Sequence, residues 1–204
     1  MHEQLICEYH EPFITRCDWV TSDPLYIHYH DHEWGVPVYD DRLLFEFLIL
    51  EGMQAGLSWF TVLKKRDAFR ECFDNFQAEK IAVYDEQKIN ALMHDARIIR
   101  NALKIQSAII NAKALLELTK EQSFSDYLWQ FVDNKPIINH WENKNDLPAS
   151  TALSDKLSRD LKRRGFKFIG TTICYAFMQA VGMVNDHMTH CFLYKKTSLE
   201  NPIK

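Results

Sequence analysis

Two cysteine–histidine pairs stand near opposite ends of this 204-residue chain. Cys17 and His30 lie near the start, thirteen residues apart, and His187 and Cys191 near the end, four apart. Cys and His are the side chains zinc prefers, and two of each complete a tetrahedral structural site. A step of four puts both donors on one face of a helical turn. If all four converge, the fold must bring its two ends together, and one metal would tie them. With five Cys and nine His, some such pairs arise by chance, and no C-x₂-C step is present. Half-buried thiols and hydrogen-bonded histidines are the other reading.

Between those ends the chain reads as almost all helix. Asp40 or Asp41 caps a helix over 42–52, with Leu43, Leu44, Phe47 and Leu48 at core spacing. Gly52 and Gly56 break it, and Ser58 restarts a helix with Trp59, Val62, Leu63 and Phe69 inward. Short periodic segments follow near 78–84 and 86–94. Over 97–119, Ile98, Ala102, Ile105, Ile109, Ala112 and Leu116 recur at threes and fours, which predicts one long amphipathic helix. Ser123 with Asp126 resembles a capping box for 124–132. Pro136 and the polar run 139–145 read as a loop. Ser150 opens a helix with Leu153, Leu157 and Leu161 on one stripe. Strand-like alternation is nearly absent, so the fold class is all-α, a multi-helix domain around one core. With 47% hydrophobic residues, such a core is affordable, and nothing mid-chain looks like a linker.

The function classes narrow on charge and cysteine usage. A net charge of −4 argues against a broadly basic nucleic-acid coat, though not against a small contact patch. An odd cysteine count and no secretory leader in residues 1–16 point to a reducing compartment, hence the cytoplasm. No stretch approaches a membrane span.

Residues 153–182 carry the clearest local signal. One amphipathic helix stops at Gly165, a turn spans Phe166 to Gly170, and a second helix starts at Thr171 and Thr172. The free N–H groups of Gly170, Thr171 and Thr172 would form an anion site at a helix N-terminus, with Lys167 beside it. A helix–hairpin–helix grips a DNA phosphate in this way without reading bases. An ordinary helical corner with a glycine C-cap has the same pattern, and Lys162, Arg163, Arg164 and Lys167 also suit a solvated helix end. A second cluster combines Trp19, Tyr26, Tyr29 and Trp34 with Glu51 and Trp59. Aromatic planes beside one carboxylate suit a flat, cationic heterocycle. Taken singly, each aromatic also fits a core position.

The segments DWVTSDPLYIHYHDHEWGVP, LEGMQAGLSWFTVLKKR and KRRGFKFIGTTICYAFMQAVGMVNDH resemble the constitutive type I family of 3-methyladenine DNA glycosylases. The likeness runs from about Cys17 to Cys191. It implies a helix–hairpin–helix glycosylase fold over 17–194, with an extension at 1–16 and a tail at 195–204. It implies one structural Zn²⁺ on Cys17, His30, His187 and Cys191. In the base pocket, Glu51 would hydrogen-bond the methylated adenine and Trp59 would stack on it. Tyr29 would contact it, Trp19 would form the other wall, and Tyr26 would be a neighbour. Leu57, in the loop 54–57, would be the wedge that fills the gap left by a flipped nucleotide. Gly165, Lys167, Gly170, Thr171 and Thr172 would hold the DNA backbone. The implied partners are alkylated duplex DNA and free 3-methyladenine as product, handled by a monomer.

The implied reaction is hydrolysis of the N-glycosidic bond of a flipped base. Asp186 is the nearest acid after the second hairpin helix, but it abuts a metal ligand and reads as structural. That leaves Glu51 for recognition and electrostatic help. Two rivals are a zinc hydrolase and a non-catalytic DNA-binding module. Four protein ligands leave no open metal position for the first, and the second would not need Glu51 and its aromatic cage.

Overall fold

The computed structural model describes residues 14–194. Most of the proposed extension and the whole tail 195–204 lie outside those residues. Among the described residues there are ten α-helices and one short pair of strands. The first helix, α1 (Pro24–His32), lacks a clear apolar period. It forms because the Asp23 carboxylate accepts from Leu25 N at 2.9 Å and Pro24 presets its first turn.

The central helix is α2 (Asp41–Gln54), capped by Asp40 through Leu43 N at 2.8 Å. Asp41, the other candidate cap, reaches across to the amides of Phe124 and Ser125 at 3.0 and 2.8 Å, and so caps another helix. Every residue from Leu44 to Met53 is buried, which suits a helix wrapped on all sides. Gly52 does not break it. The helix continues to Gln54 and ends at Ala55, followed by Gly56 at φ +78°. Gly52 instead allows close packing: a Cβ there would stand 3.6 Å from Phe168.

The helix expected from Ser58 onward is two helices, α3 (Trp59–Leu63) and α4 (Arg66–Cys72), because Lys65 leaves helical geometry. α5 (Ala78–Ile81) and α6 (Glu86–His94) follow. α7 (Ala102–Leu118) starts later than expected, since the Asn101 side chain caps it through Lys104 N. Ala102 is therefore exposed at the first turn, while Ile105, Ile109 and Ala112 are buried as expected. α8 (Phe124–Trp129) passes into a 3₁₀ turn at 130–132. α9 (Ala152–Arg163) is capped by Thr151 rather than Ser150, in a reciprocal box with Ser154.

The last helix, α10 (Thr171–Ala180), packs against both α9 and α2. Gly165 at φ +95° ends α9: Gly165 N bonds Lys162 O, and Phe166 N bonds Leu161 O. The turn is then pinned from outside. Asn111 of α7 accepts from Lys167 N at 2.7 Å and donates to Lys167 O at 3.0 Å, and Ser158 donates to Ile169 O at 2.6 Å.

The chain is not purely helical. β1 (Ile137–Ile138) and β2 (Val184–Asn185) pair in parallel, and a bridge joins Trp141 to Met188. Two-residue strands carry no alternation, so periodicity could not reveal them. This zipper lays residues 137–141 along 184–188, and the loop 142–147 follows directly from it. Gly182 at φ +71° allows a close crossing there, since a Cβ would fall 2.5 Å from Val36 C and Pro37 N. No helix among the described residues is long and apolar enough to cross a membrane.

Candidate active site and metal centre

α1 places Tyr29 and His30 side by side, one toward each of two sites. The metal candidates do converge: the ligand atoms of Cys17, His30, His187 and Cys191 all lie within 4.8 Å of one another, and all four residues are buried. Cys17 Sγ stands 3.5 Å from His187 Nδ1, and Cys191 Sγ stands 3.5 Å from His30 Nε2 and 3.6 Å from His187 Nδ1. The outer ring atoms are held too. His30 Nδ1 meets Asp31 Oδ1 at 2.7 Å, and His187 Nε2 lies 3.2 Å from Trp34 O. Arg16 closes on Asp31 from outside. A hydrogen bond between the two free thiols pulls the Cys191 thiol well below its ordinary range and pushes Cys17 above it.

Beside this cluster lies a cavity of about 220 Å³. Trp19, Tyr26, Tyr29, Glu51 and Trp59, singled out in the sequence, all line it. Trp19 and Tyr26 are 5.0 Å apart by ring centroid, Tyr29 and Trp59 5.4 Å, and Trp19 and Trp34 4.9 Å. Glu51 enters from the buried flank of α2 and is 3% exposed. Burial pushes its carboxyl up to about 8. Burial, reinforced by Glu51, also raises Tyr29 and Tyr26 above the usual phenol range.

Two buried polar atoms here have no partner: Glu51 Oε2 and Trp59 Nε1. Buried polar groups are nearly always satisfied, and the exceptions concentrate where a ligand completes them. Both orphans belong to this one cavity.

The cavity has further walls that sequence reasoning did not assign: Trp34, Gln54, Lys144, Leu147, Ala176 and Gln179. Trp34 sat within the aromatic cluster. Ala176 and Gln179 lie three apart on α10, a signal that periodicity could have offered. Lys144 and Leu147 arrive on a loop delivered by the strand pair, which no local pattern announces.

The other assigned residues do not line this cavity. Leu57 is exposed on the loop after α2, beside Gly56. Lys104 steadies that loop by donating to Met53 O at 2.8 Å and Ala55 O at 2.7 Å. Lys167 and Thr172 are exposed on the α9–α10 turn. Gly170 caps α10 without any side-chain hydrogen bond, and no atom lies within 4 Å of where its Cβ would stand. Thr171 is partly turned inward, its hydroxyl 2.8 Å from Ser154 Oγ. Asp186 is buried under four donors. Asn139 and Trp141 bond Oδ1 at 2.7 and 2.8 Å, and Tyr175 and Gln179 bond Oδ2, each at 2.7 Å.

Residues 19–194 match the family described as methyladenine glycosylase. DNA-3-methyladenine glycosylase 1 of Escherichia coli strain K12 is 52% identical over 182 residues, which covers 89% of this chain and 97% of that protein. A crystal structure of a 3-methyladenine DNA glycosylase I superposes with a TM-score of 0.86 at 54% identity, covering 87% of this chain and 98% of the other. A single-residue variant of a 3-methyladenine DNA glycosylase I, in complex with 3-methyladenine, matches at 0.85 and 36%, covering 91% and 98%. With a family match over residues 19–194 and a relative 52% identical over nearly its whole length, this protein belongs to the methyladenine glycosylase family.

Proposed function

We propose that this chain is a DNA-3-methyladenine glycosylase that flips the damaged nucleotide out of duplex DNA and hydrolyses its N-glycosidic bond. The observation that carries the reading is the pair of orphaned groups, Glu51 Oε2 and Trp59 Nε1, within an aromatic cavity. Methylation at N3 puts positive charge on the purine. Facing aromatic rings attract a flat cation, and a carboxylate accepts its N–H groups more strongly than those of a neutral base. Unmodified adenine lacks both gains yet bears the same unstacking cost, a few kcal/mol.

The chemistry asks little of the protein. The bond between N9 and C1′ breaks, and its electron pair leaves with the purine, which departs as neutral 3-methyladenine. A water oxygen bonds C1′ and gives its proton to solvent, leaving an abasic site. Because the base leaves neutral, no strong general acid is required. Glu51 accepts an N–H of the base, and a cationic base entering the pocket draws its buried carboxyl back toward the ionised form that stabilises the charge. Asp186, saturated by four donors, has no lone pair left for water. A single helical domain over 17–194 performs these steps.

The α9–α10 turn serves as the helix–hairpin–helix. Open amides at the start of α10 hold a phosphate, with Lys167 adding charge, and Gly165 and Gly170 allow the tight turn. Leu57 fills the space left by the flipped nucleotide. We assign zinc to the four-ligand cluster. A tetrahedron with Zn–S of about 2.3 Å and Zn–N of about 2.05 Å has S···N edges of about 3.6 Å, and the distances of 3.5–3.6 Å support that fit. Bound there, zinc supplies a structural tie, since four protein ligands leave it no open position. The working unit is a monomer in the cytoplasm.

The test is release of free base from methylated duplex DNA by the full chain. Release of 3-methyladenine, lost in Trp59→Ala, is expected. No release where a control glycosylase is active would overturn the reading. Elemental analysis returning one zinc per chain is expected for the metal site, and none would remove it.

A further inference from the structure

Gln179 lines the base cavity from α10, and its two polar ends are not equivalent. Nε2 lies 2.7 Å from Asp186 Oδ2. A carboxylate only accepts, so this end of the amide is the nitrogen. Asp186 is in turn locked. Trp141 Nε1, which can only donate, takes Oδ1 at 2.8 Å, and Tyr175 shares Oδ2. The atom left for the cavity is the acceptor Oε1, which has no hydrogen-bond partner among the described residues.

We propose that Gln179 is a specificity-determining residue and Asp186 its positioning residue: the locked amide offers only an acceptor, which selects a 6-amino purine over a 6-keto one. The inference rests on the base-pocket reading above. An exocyclic 6-amino group has two N–H donors, enough for Glu51 and Gln179 together. A 3-methylated guanine presents the lone pairs of O6 in the same place, so acceptor meets acceptor and the base displaces water from Oε1 without replacing its hydrogen bond.

The geometry also predicts a reversal. In Asp186→Asn, Trp141 still requires an oxygen at the Oδ1 position, so the new amide nitrogen occupies the Oδ2 position. Gln179 must then turn Oε1 toward that nitrogen and present its own NH₂ to the cavity. That donor favours a 6-keto base.

The experiment measures release of 3-methyladenine and 3-methylguanine together from one methylated duplex DNA, so that losses from impaired folding scale both alike. In Gln179→Leu the ratio should shift toward 3-methylguanine by roughly 10- to 100-fold, the worth of one hydrogen bond to a charged group. Asp186→Asn should shift it in the same direction, and Gln179→Leu with Asp186→Asn should shift it no further than Gln179→Leu alone. An unchanged ratio in Gln179→Leu overturns the proposal, whatever the absolute rates. Trp59→Ala is the companion measurement. If it too leaves release untouched, the pocket reading fails; if it abolishes release while the ratio in Gln179→Leu is unmoved, only this inference fails.

Discussion

Glu51 is where stability and function pull in opposite directions. Its carboxyl is held near 8 by burial, against an ordinary value of 4.5. Between those pH values the unfolded chain has released this proton and the folded chain still holds it. Folding therefore takes up a proton, and stability falls as pH rises through that window. Glu51→Gln removes the penalty, so the variant should be more stable than the parent by on the order of 3 kcal/mol at pH 7 and by nothing at pH 4. Urea unfolding at the two pH values checks this, and equal stability at both would contradict the burial argument. The same variant should bind 3-methyladenine more weakly, with a modest loss of rate. A collapse in rate with affinity intact would instead make Glu51 a catalytic group. The Glu51 position was legible because a carboxylate at the end of an apolar run, near a run of aromatics, is unusual. Its protonation state was not, since that depends on packing from α1, α3 and α10.

Among the elements, the α9–α10 turn depends most on a distant partner. Asn111 holds the backbone of Lys167 with two hydrogen bonds from α7. Asn111→Ala leaves that N–H and C=O to find water or remain unmet, a cost of about 1–3 kcal/mol. The expected result is weaker binding of undamaged duplex DNA, by about tenfold, with unchanged affinity for free 3-methyladenine. Fluorescence titration against each ligand checks both, and equal loss for both would mean that the turn also shapes the cavity. The turn itself was readable in sequence, because Gly165 and the switch between two apolar stripes are local signals. Its anchoring was not, because Asn111 sits within an otherwise ordinary amphipathic helix. α1 escaped for a related reason. Its residues serve two sites on different sides, so no single apolar face exists to give a period.

At the scale of the whole molecule, the four-ligand cluster joins the N-terminal segment to the end of the fold. Chelation, or Cys191→Ser, should loosen residues 17–34 before the buried helices α2 and α7 respond. Hydrogen exchange resolves this: early exchange in α1 with α2 still protected is expected, and simultaneous loss would assign the cluster to global stability instead. Base affinity should fall with the first event, because Trp19, Tyr26 and Tyr29 ride on the released segment. The net charge of −4 bears on DNA binding as a whole. With a net negative charge and phosphate contact assigned to the α9–α10 turn, log affinity should fall with log salt at a slope of about −3 or shallower. A slope near −8 would mean many more phosphate contacts than that turn offers.

By itself the sequence determined the helical class, most helix positions and the aromatic residues around Glu51, and it marked Cys17, His30, His187 and Cys191 as candidate metal ligands. These are carried by periodicity, capping residues and residue chemistry, all of which are local or compositional. Tertiary structure alone decided which polar atoms are left without partners. It decided that Gln179 bonds Asp186 through its nitrogen, that Lys144 and Leu147 line the cavity, and that Asp186 is saturated. It also decided that Gly52 continues a helix rather than ending one, because burial on every side of α2 outweighs glycine's local preference. Satisfaction and burial depend on groups far apart in the chain, and no short-range pattern encodes them.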